Sequence, residues 1–390
     1  MFRFVTAGES HGKCLTGVIE GLPSGLVVDT DFINQQLHRR QLGHGRGRRM
    51  QIEKDRIDIT AGVRHGRTLG GPVAFLIENK DWNNWRIPMS PEPVAEEANL
   101  RSLTRPRPGH VDLAGVLKHQ THDARDVLER ASARETAARV AVGAFCRLLL
   151  RRFGTHIASH VLAIGGVRVP QAAENVNSQE ILALDAESPI RCADADIEKE
   201  MMSRIDQAAK DGDTLGGVAE VIAACVPAGL GSHTQWDRKI DGRLAQALMS
   251  IPAVKAVEIG DGIVAANRLG SQVHDEIFYD LEQHRFFRKS NNAGGVEGGI
   301  TNGADLRARI FVKPIPTLRK ALMSVDLITK EPSFAGFERS DTCVVPAAGV
   351  VAEAVMGIVL AAAFLEKFGG DSMAELEAAF ANYQKQLSQF

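Results

Sequence analysis

The chain has 390 residues, of which 44% are hydrophobic and 24% charged, with a formal net charge of −2. This is the composition of a globular protein with room for one large core or two to three ordinary ones. The near-neutral balance excludes a global field drawing the chain to nucleic acid or an anionic membrane. Met1-Phe2-Arg3-Phe4 lacks the basic stretch and apolar run of a signal peptide, and residues 2–7 and 15–20 read as strands. Asp31–Gln41 reads as a polar helix, followed by the glycine-rich basic loop GHGRGRR. Strands are expected at 57–63 and 72–77, joined by the turn RHGRTLGG, and a short helix at 111–119. Residues 134–153 form the clearest helix, rich in alanine and leucine and stopped by Gly154.

A strand is expected at 156–167, and from 170 to 197 the pattern dissolves into polar residues, read as a surface insertion. A helix at 197–210, a strand at 218–226, a helix at 240–250 and a strand at 306–312 follow. Two helices close the chain, at about 344–368 and 374–386. The first is apolar enough to span a bilayer, but Pro346, Gly349 and Glu353 favour a helix buried in a large core. TLGG occurs at 68–71 and again at 214–217, each before an apolar strand, and EGGITNG at 297–303 precedes a third. These echoes are either turn chemistry or the trace of an internal duplication.

The five cysteines, at 14, 146, 192, 225 and 343, are odd in number and lack C-x-x-C spacing. No disulfide framework or zinc site is expected, and a reducing cytoplasm is. Positive charge is local: Arg39, Arg40, Arg46, Arg48 and Arg49 surround His44, and Arg101, Arg105 and Arg107 form a second stretch. Such clusters suit a small, highly anionic ligand. Nucleic acid would call for more interleaved aromatics than the 5% here.

Four stretches combine glycine, arginine and titratable groups. TAGESHG sets Glu9, Ser10 and His11 between glycines, either as a polar turn or as a turn aiming His11 at a substrate. In TRPRPGHVD, Pro106 and Pro108 stiffen the approach to His110, with Gly109 freeing the turn and Arg107 alongside. ERASARETAARVAVG places Ser132 and Arg134 at a helix start, an anion site or a plain N-cap. FERSDTC holds Arg339 and Asp341 at i and i+2, on one face of an extended segment. Lys313 heads the proline-fixed VKPIPTLRK, and SNNAGGVEGG offers glycine backbone to a flat ring. Together these residues describe an enzyme of an anionic small molecule, suited to losing or transferring a phosphate that arginines neutralise and a histidine protonates. No P-loop or Rossmann glycine motif is present.

From Phe4 to about Tyr383 the sequence resembles the chorismate synthase family. The resemblance rests on GESHGKCLTGVIEGLP, ERASARETAARVAVGAF and RSDTCVVPAAGVVAEAV, with GHGRGRRM, RPRPGH, NNAGGVEGG and KPIPT between them in order. It implies one domain over 1–390 with an α+β fold, a β-α-β sandwich in which a helix layer is buried between two antiparallel sheets. It implies anti-1,4-elimination of phosphate from 5-enolpyruvylshikimate 3-phosphate to give chorismate, with reduced FMN and no net redox change. By position, His11 matches the proton donor to the phosphate, His110 the histidine beside the flavin, and Asp341 the proton relay. FMN contacts fall on Ser132, Ala133, Arg134, Gly298, Lys313, Pro314, Ile315, Pro316, Thr317 and Arg339, with a further pair at Pro252 and Ala253. Pro252 departs from the family's asparagine or glutamine and lacks a backbone N–H. Ser10, Arg48, Arg49, Arg107, Arg134 and Arg339 are expected to hold the substrate, and Arg40 and Arg46 match NADPH positions. The family's homotetramer is expected, with no metal, nucleic acid or membrane partner. A flavin-dependent reductase and an RNA-binding protein using residues 39–49 are the rival readings.

Overall fold

The computed structural model describes residues 1–47, 54–95, 98, 100–170, 176–184, 188–282, 284–338 and 340–390. It is a mixed α+β fold built on two antiparallel sheets. The first contains β1 (Arg3–Ala7), β2 (Cys14–Glu20), β3 (Ile57–Ala61) and β4 (Val73–Glu78), in the order β1-β2-β4-β3. Its register is set by alternation: Val73, Phe75 and Ile77 of β4 face the core, and Ile19 lies opposite Val73. The second contains β5 (His156–Ile164), β6 (Val167–Arg168), β7 (Gly217–Ala224), β8 (Val254–Ile259) and β9 (Leu306–Val312), in the order β8-β9-β7-β5-β6. β5 and β7 are buried on both faces, which explains their almost continuous apolar sequence.

Among the described residues, the α-helices longer than a single turn are α1 (Thr30–Gln41), α2 (Asp112–His119), α3 (Arg125–Ala131), α4 (Thr136–Arg151), α5 (Ser178–Ala183), α6 (Ala195–Lys210), α7 (Ile240–Met249), α8 (Val345–Phe368) and α9 (Met373–Ser388). α4 packs on β2, α8 packs on β5 and β7, and α4 and α8 pack on each other. Gly143 permits that approach, since a Cβ there would stand 2.4 Å from the Ala354 Cβ. α8 is long and apolar enough to cross a membrane, but 89% of its most apolar window is buried inside the protein. Its one buried acid, Glu353, is fully enclosed and accepts from Arg39, Arg147 and Ser159 at 2.6–2.9 Å, while the exposed Glu366 near its end pairs with Arg243.

The expected elements match to within a few residues, with three differences. The helix expected from Arg134 starts with a 3-10 turn at Ala133–Glu135. α3 and β8 were not anticipated, one short and highly charged, the other a short strand behind the Pro252 turn, and neither were the small hairpins Ile277–Asp280 with Arg285–Arg288 and Met323–Val325 with Pro332–Phe334. Within the polar stretch 170–197, the described part carries α5 and is tied into the core by Ile181, Ile190, Arg191 and Cys192.

Candidate active site

The turn after β1 is clamped onto α3. The Ser10 N–H donates to the Glu129 carbonyl at 2.9 Å and the His11 N–H to Glu129 Oε2 at 2.8 Å. His11 Nδ1 lies 2.8 Å from Glu129 Oε1, so proton exchange with a ligand falls to Nε2. The imidazole stacks on Trp85 with 3.8 Å between ring centroids, and Arg101 and Arg125 lie over the same indole. Arg125 also donates to Glu129, one helical turn along, and to Glu338. Burial pushes the Glu129 carboxyl up, but the His11 and Arg125 contacts outweigh it and hold it below the usual carboxylate range.

A second group surrounds Asp55. Arg134 Nη1 donates to both carboxylate oxygens at 2.6 and 2.7 Å, and Arg40 Nη2 to one of them at 3.1 Å. Burial raises Asp55, yet the two guanidiniums hold it low. Arg40 is brought down to about 10, by burial first, with Arg134 and Arg46 adding to it against Asp55. Asn79 joins this group to the His11 turn: its Oδ1 accepts from Arg134 Nε at 2.8 Å, and its Nδ2 donates to the Gly12 carbonyl at 2.7 Å. Ser132 caps the Arg134 N–H and donates to Ser10 Oγ at 3.1 Å. Arg46 donates to Asp341 Oδ2 at 2.7 Å, and the Gly47 N–H to Oδ1 at 2.6 Å.

The third group is built on the proline-stiffened turn before α2. Arg107 Nε donates to Asp112 Oδ2 at 2.7 Å and its Nη1 to Thr317 Oγ1 at 3.1 Å. His110 Nδ1 bonds to Asp112 as well, leaving Nε2 for a ligand. Burial raises Asp112, but His110 and Arg107 outweigh it and hold the carboxyl far below its ordinary range. Lys313 Nζ donates to the Gly109 carbonyl at 2.6 Å. Ser340 Oγ donates to the Thr317 carbonyl at 3.0 Å, which brings the Asp341 segment against the Arg107 group.

The structure thus links Ser10, His11, Ser132 and Arg134 in one network, Arg40, Arg46 and Asp341 around it, and Arg107, His110, Lys313 and Thr317 in an adjoining one. The Pro252–Ala253 turn reaches the latter through the Ala253 carbonyl, which accepts from the Lys313 N–H at 2.9 Å. Gly298 sits on a separate hairpin (Val296–Glu297 with Ile300–Thr301), its carbonyl accepting from Lys239 Nζ. Arg48, Arg49 and Arg339 lie outside the described residues. The residues that sequence reasoning missed are the partners: Glu129, Arg125, Trp85, Asp55, Asn79 and Asp112. Three had a local signal: Arg125 and Glu129 in their i, i+4 spacing, and Asp112 in its place two residues beyond His110. Asp55 and Asn79 had none.

Two carboxylate-backed histidines beside a dense set of guanidiniums, on a two-sheet α+β fold, are the groups an enzyme of a small anionic molecule requires. The family model described as chorismate synthase matches residues 2–365. The chorismate synthases of Solibacter usitatus and Brevibacillus brevis are 53% and 54% identical to this chain, over the full length of each protein. A chorismate synthase crystal structure superposes with a TM-score of 0.80 at 43% identity, covering 100% of this chain and 99% of the other. The chain belongs to the chorismate synthase family, and with it to the lyases.

Proposed function

We propose that this chain converts 5-enolpyruvylshikimate 3-phosphate to chorismate and phosphate by anti-1,4-elimination with reduced FMN, the chorismate-forming step of aromatic amino acid biosynthesis. The observation that carries this reading is the carboxylate-backed pair His11 and His110, bonded into adjoining arginine networks on a full-length family match. The substrate bears two carboxylates and a phosphate, and Arg107, Arg134 and Arg46 supply charge for it. Ser10 and His11 face the phosphate, and His11 Nε2 gives it a proton as the C–O bond breaks. Trp85 and Glu129 fix the ring for that transfer. Asp341 is the base that ends with the proton lost from the substrate, its carboxylate oriented by Arg46 and the Gly47 N–H with a lone pair left on each oxygen.

The residues present fit a flavin. Gly109 adopts φ 77°, which a residue with a side chain rarely takes, and its backbone lies against Lys313 and Pro316 of the Lys313–Thr317 segment that would offer its face to a ring. Ser132, Ala133, Lys313, Pro314, Ile315, Pro316, Thr317 and Ala253 are the described residues that would hold it, with Gly298 from another surface or subunit. When bound there, reduced FMN would supply electron density to the substrate and an acceptor for its C6 hydrogen. Arg46 would meet NADPH more readily than Arg40, which is enclosed against Asp55 and Thr136.

We also read the sheet–helices–sheet order as the β-α-β sandwich of the family, in a single domain with an internal pseudo-repeat. The strand orders β1-β2-β4-β3 and β5-β7-β9-β8 support it. So does a shared turn: Thr68 Oγ1 donates to the Pro23 carbonyl and accepts from the Leu26 N–H, as Thr301 Oγ1 does with Pro227 and Leu230. The equivalence therefore runs through Thr68 and Thr301, not through the two TLGG sequences. A cytoplasmic homotetramer completes the reading, supported by five free cysteines and by exposed apolar residues such as Phe286, Leu322, Phe334 and Phe337.

The test is an anaerobic assay with chemically reduced FMN and the enolpyruvyl substrate. Phosphate and chorismate are expected to appear together in equal amounts without NADPH. Product formation coupled one-to-one to NADPH oxidation would instead show a reductase.

A further inference from the structure

One residue along α1 from Arg40, Arg39 enters a second buried charge cluster outside the candidate active site. Arg39 and Arg147 both donate to Glu353 and to Gln36 Oε1. Arg191 comes in from the segment before α6 and donates to the Pro346 carbonyl. Glu353 is fully buried, and Arg147 and Arg191 are 8% and 4% exposed. Among the described residues Glu353 is the one carboxylate bonded there, so three guanidiniums share a single negative charge. They line a cavity of about 170 Å³ together with Ser159 and Gln35. That volume is below the roughly 300–1,000 Å³ of organic-ligand pockets, yet several times the ~30 Å³ share of a water.

An excess of two buried positive charges is costly unless an anion offsets it. Burial, aided by the neighbouring guanidiniums and opposed by Glu353, brings Arg147 and Arg191 down to about 10. Arg39, Arg147 and Arg191 all line the cavity, and although Glu353, Gln36 and the Ile157 and Pro346 carbonyls take some of their donors, a guanidinium carries five N–H groups and can also bond an oxyanion. We propose that this cavity binds a small tetrahedral oxyanion of phosphate size, held by Arg39, Arg147 and Arg191.

The probe is inorganic phosphate, titrated calorimetrically into the full chain at an ionic strength fixed with sodium chloride and with the substrate site filled by 5-enolpyruvylshikimate 3-phosphate in the absence of reduced flavin. Wild-type chain is expected to bind phosphate, and Arg191→Gln to bind it at least about tenfold more weakly, the cost of one charged hydrogen-bonding partner. The elimination rate of that variant is expected to be unchanged. Equal phosphate affinity in the two proteins would overturn the proposal. Glucose 6-phosphate is expected not to displace the ion; displacement would overturn its assignment as a free anion. If Arg191→Gln does not fold, wild-type crystals soaked in selenate decide. An anomalous peak among the three guanidiniums supports the site, and an empty cavity at saturating selenate rejects it.

Discussion

His11 and Glu129 act as a unit. The carboxylate holds one ring nitrogen and the backbone N–H of the same residue, so ring position and ring tautomer have one source. His11→Ala is expected to slow phosphate release by ~10²–10⁴-fold, the range of general acid–base groups, measured in a single turnover. An unchanged rate would remove His11 from the reaction. Glu129→Gln keeps the size of the side chain but loses its charge, and should cost about 10–100-fold in turnover through a mispositioned His11. Its pH–rate profile should shift with it, whereas a merely structural role would leave the profile in place. Asp341→Asn should leave substrate and flavin affinity nearly intact, since the amide oxygen can still accept from Gly47, while turnover falls severely. Near-normal turnover would exclude the relay. His11, His110 and Asp341 stand out in the sequence as candidates because each lies on a short turn built of glycine, proline or an i, i+2 pair. Asp55 and Asn79 do not, because their partners, Arg134 and Arg40, come from other elements and only tertiary packing brings them together.

At the scale of elements, α8 shows how one residue decides a reading. Composition alone leaves a membrane span open, while the buried Glu353 with its two bonded arginines anchors the helix between α1, α4 and β5. Removing one partner from a buried charge cluster leaves the others uncompensated. Glu353→Ala should therefore cost about 3–5 kcal/mol of stability, read as a fall in the urea unfolding midpoint; a loss within error would mean that the arginines are solvated. The long apolar helices and alternating strands were legible because burial writes a period into the sequence. α3 was not, since its seven residues, RDVLERA, spend most of their charges on Glu338, His11 and Thr6, contacts that no local pattern encodes.

Across the molecule, carboxylates held low by guanidiniums set the response to acid. Burial raises Glu353 and Glu220, but Arg39 and Arg147 bring the first to about 2, and His160 and Arg307 do the same for the second, against an ordinary 4.5. A group whose pKa is depressed on folding contributes its full stability above the unfolded value and loses it as pH falls through the folded one. The urea midpoint should hold above about pH 5 and fall steeply toward pH 2; a midpoint flat across that window would contradict the ion pairs. Four strands of the second sheet follow the order of the first, and the similar threonine turns at 68 and 301 stand too far apart in the chain for short sequence echoes to pair them. The central claim is that the His11, Arg134 and Arg107 groups face one substrate and one flavin. A crystal structure of the chain with FMN and 5-enolpyruvylshikimate 3-phosphate tests it most directly. The phosphate is predicted within hydrogen-bonding distance of His11 Nε2 and Ser10, with the isoalloxazine beside His110 and Asp341; a substrate seated away from these residues, in every subunit, would contradict it.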